Sequence, residues 1–140
     1  MTRIIHSPHP LLLAPCRPVE KIKPQHLRLA SRMIELAIAG DGVGLAAPQV
    51  GRSIQLIVVK GPDGWQALFN PVVVKRGLET ELGEEGCLSL PGVMRVVERA
   101  QKVRVDVVLP SGESVYIDAH GFLARILQHE IDHLHGLMIA

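Results

Sequence analysis

The sequence predicts an α+β fold in which mixed or antiparallel strands pack around a C-terminal helix, all within a single domain spanning residues 1–140. Three observations predict it. An apolar stripe at helical spacing follows a Pro-rich opening, short β-branched runs fill the middle, and the last twenty residues return to helical spacing with histidines on the apolar face. Hydrophobic residues make up 47% and charged residues 21%, which is enough apolar content for a packed core. With only 3% aromatic residues, that core must be built from Val, Leu, Ile and Ala.

Taken in order, the first helix is expected from Pro24 to Ala39. Leu27, Ala30, Ile34, Ala37 and Ile38 recur along one side, proline stands at the first turn, and Gly40 follows the last. "IQLIVV" at 54–59 is short and β-branched and reads as a strand. "KVRVDVVLP" at 102–110 alternates Val103, Val105 and Val107 with polar residues, and "PSG" at 110–112 turns it into "ESVYIDA", so 102–119 reads as a hairpin. The last helix is expected from Gly121 to a glycine cap at Gly136, and "LMIA" beyond it reads as one more apolar strand.

Several function classes are excluded early. Fifteen Lys and Arg against fourteen Asp and Glu leave a net charge of +1, so nothing pulls the chain toward nucleic acid or an anionic membrane. The runs "LLLA" and "LIVV" fall far short of the ~20 residues of a membrane span, and no signal-peptide pattern opens the chain, so a cytoplasmic location is expected. Two cysteines cannot make a disulfide framework. Cys16, in "LAPCRPVE", reads as a small buried hydrophobe.

The chemistry concentrates in three stretches. In the last helix Phe122, Ile126, His129 and His133 follow one another at steps of four, three and four, so two imidazoles continue the inward stripe. "HEIDH" has the form H-E-x-x-H, which brings two ring nitrogens within reach of one ion and sets Glu130 near a metal-activated water. A chance match with satisfied core histidines is the bland alternative. Asp132 and His135 lie off the stripe and are expected to face solvent. A catalytic site of this kind needs a third protein ligand. The chain ends seven residues after His133, so the donor lies upstream, where "EEGCLSLPG" at 84–92 offers Cys87. The third stretch, "GDGVGLAAPQVG" at 40–51, fails as a phosphate loop because no Lys-Ser or Lys-Thr follows. Its Gln49 could donate a hydrogen bond to an oxyanion.

Together "GVGLAAPQ" at 42–49, "EGCLS" at 85–89 and "QHEIDH" at 128–133, with "LFNP" at 68–71 as a flank, make the chain resemble the peptide deformylase family. The resemblance implies a deformylase-like fold and a metal-dependent hydrolase that removes the formyl group from N-formyl-methionyl nascent peptides, releasing formate. It places the metal ligands on Cys87, His129 and His133, the general acid/base on Glu130, and the oxyanion donors on the Gln49 amide and the Leu88 backbone N–H. Val43, Gly44, Glu85, Gly86, Phe122, Arg125 and Ile126 fall on substrate-binding positions, with Arg125 at the rim. Gln128, Ser89 and a Glu85–Arg99 pair are implied as supports of the ligands. One divalent metal per chain is implied, Fe(II) in the cell, with Zn(II), Ni(II) or Co(II) as substitutes.

The chain departs from typical bacterial members by stopping at "GLMIA" without the charged helical tail linked to ribosome docking. It resembles the minimal forms found in phages and some organellar types, or else a shortened chain; a phage-encoded protein would act in the host cytoplasm. A monomer or weak dimer with only transient ribosome contact is expected. Met94 stands where some members carry a basic residue. Three other functions remain open at this point: an inactive binding module, a small metallopeptidase, and a redox or zinc-storage protein.

Overall fold

Leu56 to Val59 are apolar at four consecutive positions because a strand covered on both faces has no solvent side to leave polar. In the computed structural model, which describes residues 2–140, Leu56 and Val58 point to one layer of core while Ile57 and Val59 point to the other. The first layer lies against helix α1 (Pro24–Ala39) and the second against helix α2 (Gly121–Leu134). Between them runs a five-stranded antiparallel sheet in the order β1 (Gly44–Ala46), β2 (Leu56–Gly61), β3 (Gly64–Arg76), β6 (Lys102–Val108), β7 (Ser114–His120). A separate two-stranded hairpin is formed by β4 (Thr80–Cys87) and β5 (Leu90–Ala100).

The pattern of each strand reports which helix covers it. In β6, Val103, Val105 and Val107 are buried in the layer under α2, while Lys102 and Asp106 face outward and are exposed. Alternation there and continuity in β2 are thus one rule applied to one covered face or two. The expected strand at 54–59 starts two residues later than predicted, since Ile54 makes only an isolated parallel bridge to Arg17. The hairpin over 102–119 is present, paired in register from Lys102↔His120 to Val108↔Ser114.

Helix α1 has the predicted bounds but a rotated face. Leu29, Ala30, Met33 and Ala37 are buried, whereas Leu27 is exposed and Ile38 is 57% exposed. Leu27 and Ile38 lie roughly 100° or more around the helix from the centre of the buried set, at 100° per residue. The final "LMIA" is not a strand: after Leu134 the chain turns at Gly136 and continues without regular structure. Gly136 takes φ +77°, and a Cβ there would lie 2.6 Å from the Leu13 carbonyl oxygen, so both backbone and space require glycine.

Helix α2 follows β7 without a loop. Gly121 adopts φ +63° and donates its N–H to the Gln101 carbonyl, which redirects the strand end into the first turn. Ala124, Leu127, Ile131 and Leu134 seat the helix on the sheet, and each full-sized aliphatic side chain stabilises that docking by about 1.5–3 kcal/mol. Gln128 substitutes for a strand neighbour: its side chain accepts from the Ala100 N–H and donates to the Ala100 carbonyl. It therefore ties α2 to the end of β5.

Candidate metal centre

Seating α2 on its apolar stripe turns His129 and His133, one turn apart, toward the end of β4. Cys87 is the last residue of that strand, where the pairing with β5 slips between Gly86 and Cys87 and turns the sulfur toward the helix. One ligand atom from each of Cys87, His129 and His133 lies within 4.8 Å of the others. The Cys87 Sγ to His133 Nε2 separation is 3.4 Å. Metal–sulfur and metal–nitrogen bonds of ~2.3 and ~2.0 Å at tetrahedral angles put the two donors ~3.5 Å apart, so these residues fit a cation held between them.

Two further observations favour the same fit. His133 Nδ1 and Glu130 Oε1 are buried with no hydrogen-bond partner among the described residues, which a purely structural core would not leave. His129 Nδ1 donates to Glu85 Oε1 at 2.9 Å, which directs its other nitrogen toward Cys87 and His133. Glu85, also on β4, accepts from Arg99 Nε at 2.9 Å and Nη2 at 2.8 Å and from Arg125 Nη1 at 2.7 Å. The implied Glu85–Arg99 pair is therefore present. Asp132, expected to face solvent, instead pairs with Arg99, since one turn of α2 carries it to the hairpin; His135 is exposed as expected.

Among the protein groups alone, burial opposes a charge on Glu85, but Arg99, His129 and Arg125 hold the carboxyl far below its ordinary range. Burial also opposes a charge on His129, yet Glu130, Cys87 and Glu85 outweigh it and lift the imidazole to about 10. Burial followed by repulsion from His129 and Arg99 drops His133 to about 3, leaving a neutral ring suited to ligation. Burial raises Glu130 to about 7, the range a group needs to take and return a proton near neutrality.

The glycine-rich stretch at 40–51 reaches the site through β1 and a 3-10 turn at Ala47–Val50. Gln49 is buried; its Oε1 accepts from the Ala46 N–H, and its Nε2 points at Cys87 Sγ (3.4 Å) and Ser89 Oγ (3.2 Å). Ser89 thus supports Gln49 rather than a metal ligand. Leu88 follows Cys87, and its side chain packs over Gly40 and Gly42, which leave no room there for a Cβ.

A cleft of about 750 Å³ opens over these groups and is lined by Val43, Gly44, Gln49, Glu85, Gly86, Cys87, Leu88, Phe122, Arg125, Ile126, His129 and Glu130. His133 lies behind it. All the expected substrate positions therefore border one cavity. Phe122 is 65% exposed at the mouth rather than inside the stripe, because the first turn of α2 overhangs the cleft. Met94 faces Gly86 across the hairpin and forms part of the wall.

Sequence reasoning missed the N-terminal segment. Ile5 donates to the Gln49 carbonyl at 2.6 Å and Ser7 to the Ser89 carbonyl at 2.8 Å, and Ile4 and His6 line the cleft. No periodicity marks a strap of this kind.

The α+β scaffold and the cysteine–dihistidine cluster, beside a glutamate whose Oε1 has no partner among the described residues, define the class of metal-dependent hydrolases. The family model for polypeptide deformylase matches residues 1–140, and the chain belongs to that family. It is 44% identical over 137 residues to peptide deformylase 1 of Bacillus cereus, covering 96% of this chain and 87% of that one. Its fold superposes on the crystal structure of peptide deformylase from Thermotoga maritima with TM-score 0.96 and 40% identity, covering 99% and 95% of the two chains. A probable peptide deformylase from Synechococcus phage S-SSM7 gives TM-score 0.94 at 33% identity, covering 99% and 97%. The protein is accordingly a hydrolase that removes the N-formyl group from the formyl-methionine of nascent polypeptides and releases formate. No helix among the described residues is long and apolar enough to cross a membrane.

Proposed function

We propose that Cys87, His129 and His133 hold one divalent cation and that Glu130, Gln49 and Leu88 carry out deformylation beside it. The observation that carries this reading is the meeting of one sulfur and two imidazoles within 4.8 Å, next to a buried carboxylate oxygen without a partner. When bound, the cation supplies Lewis acidity to water and to the formyl oxygen. Glu130 takes the proton of the attacking water and returns it to the departing amine. The Gln49 Nε2–H and the Leu88 N–H donate to the oxygen that gains charge, and losing one such donor typically costs about a hundredfold to a thousandfold in rate.

Val43, Ile126 and Phe122 offer an apolar slot for the methionine side chain, while Gly44 and Gly86 leave room for the peptide backbone. Glu85 orients His129. A thiolate with two imidazoles accepts several first-row ions, and Fe(II) is the cellular metal, with Zn(II), Ni(II) or Co(II) as substitutes. Residues 1–140 act as one catalytic domain in the cytoplasm, as a monomer or weak dimer. The domain meets the ribosome transiently through the nascent peptide.

The test is formate release from formyl-Met-Ala-Ser by anaerobically prepared Fe(II)- or Ni(II)-loaded protein. The parent turns over; Cys87→Ala loses both metal and activity; Glu130→Ala keeps one metal per chain and loses turnover. Substantial activity in metal-loaded Glu130→Ala would remove that residue from its role.

A further inference from the structure

Arg125 borders the cleft, but its guanidinium is engaged away from it. Nη1 donates to Glu85 Oε2 at 2.7 Å and to the Val97 carbonyl at 3.0 Å, and Nη2 donates to the Glu81 carbonyl at 2.8 Å. The group lies flat on β4 at Gly83, where an added Cβ would meet Cζ at 2.9 Å and Nη2 at 3.0 Å. Only 13% of the side chain is exposed. The Glu85 carboxylate in turn accepts two bonds on each oxygen: Arg99 and His129 on Oε1, Arg99 and Arg125 on Oε2. That fills its lone-pair capacity of about four.

We propose that Arg125 is a positioning residue of the metal centre, acting through Glu85 to hold α2 in register with β4 and thereby the two histidines against Cys87. Arg125 and His129 stand one turn apart on α2 and end on the same carboxylate, two residues before Cys87. One tie between a helix and a strand leaves them free to pivot, whereas two ties a turn apart also fix the angle. Arginine is required because its planar fork reaches Glu85 and both strand carbonyls from one seat on Gly83; a lysine ammonium has neither the plane nor the span. The proposal rests on the ligand set given above.

The test measures Co(II) affinity by chelator competition, the visible thiolate-to-Co(II) absorption, and KM for the formylated peptide, in the parent, Arg125→Met, Arg125→Lys and Gly83→Ala. Arg125→Met should weaken Co(II) binding about 10- to 100-fold and alter the absorption band. Arg125→Lys should recover only part of the affinity. Gly83→Ala keeps every charge but lifts the guanidinium, and should move affinity in the same direction by a smaller factor. Parent-like affinity and band in both Arg125→Met and Gly83→Ala overturn the proposal, as does a rise in KM alone. If Arg125→Met fails to fold, Gly83→Ala decides. A parent without a thiolate band would overturn the ligand set instead, whatever the variants do.

Discussion

Glu130 is packed so closely that its neighbours decide its chemistry. A Cβ at Gly44 would stand 2.7 Å from Glu130 Oε2, so Gly44→Ala should displace the carboxylate and lower kcat at least about tenfold at unchanged metal content; general acid–base groups typically contribute 100-fold or more. Burial also raises Glu130 to about 7, so the folded chain binds this proton more tightly than the unfolded chain, whose carboxyl titrates near ~4.3. Stability from this group is therefore fully present below ~4.3 and falls as pH rises through about 7. Glu130→Gln should raise the Tm of chelator-stripped protein at pH 8, on the order of 5 °C, and much less at pH 5; equal effects at the two pH values would contradict the assignment. The two thiols should also separate. Cys16 is buried, which raises its pKa and shields it, while Cys87 lines the cleft. Iodoacetamide should add one group to stripped protein, at Cys87, and none once metal is loaded, as read by peptide mass spectrometry. The identity of Glu130, His129 and His133 was legible in the sequence because a helix converts spacing into a shared face. Their pKa values were not, because those depend on burial and on Arg99, Cys87 and Glu85, which approach from other elements.

At the scale of elements, β3 shows what pattern alone leaves hidden. It runs from Gly64 to Arg76 with a register shift between Phe69 and Val72. Asn70, at φ +49°, accepts from the Val19 N–H at 2.7 Å and donates to the Val19 carbonyl at 2.8 Å. Asn70→Ala should cost about 2 kcal/mol, from two hydrogen bonds and a left-handed backbone that suits asparagine, and lower Tm by about 5–10 °C while kcat stays near the parent value. The bulged strand escaped periodicity for this reason, as did β4, whose inward positions hold buried Glu85 and half-buried Gly83 rather than aliphatic side chains. The bounds of α1 were predictable from Pro24 and Gly40. Its buried face was not, since Leu27 and Ile38 are as apolar as the residues that pack.

Over the whole molecule, the Cys87–His129–His133 cluster spans two units: Cys87 comes from the β4–β5 hairpin, the histidines from the helix on the main sheet. Stripping the cation should therefore loosen the hairpin as well as abolish turnover. At metal a hundredfold above Kd the linkage is about 2.7 kcal/mol, so chelation should lower Tm by roughly 10 °C and speed amide exchange at the end of β4 more than in β2. By itself the sequence determined the fold class, both helices, the β6–β7 hairpin and which cysteine and histidines come together, because helix and strand periods are local and the three motifs are short. Tertiary structure alone decided that Asp132 pairs with Arg99, that Phe122 stands at the mouth, that "LMIA" is no strand, and that residues 4–7 strap the site. Each of these turns on a partner distant in the chain, and a side chain's solvent exposure or ion pair is set by what the fold brings opposite it.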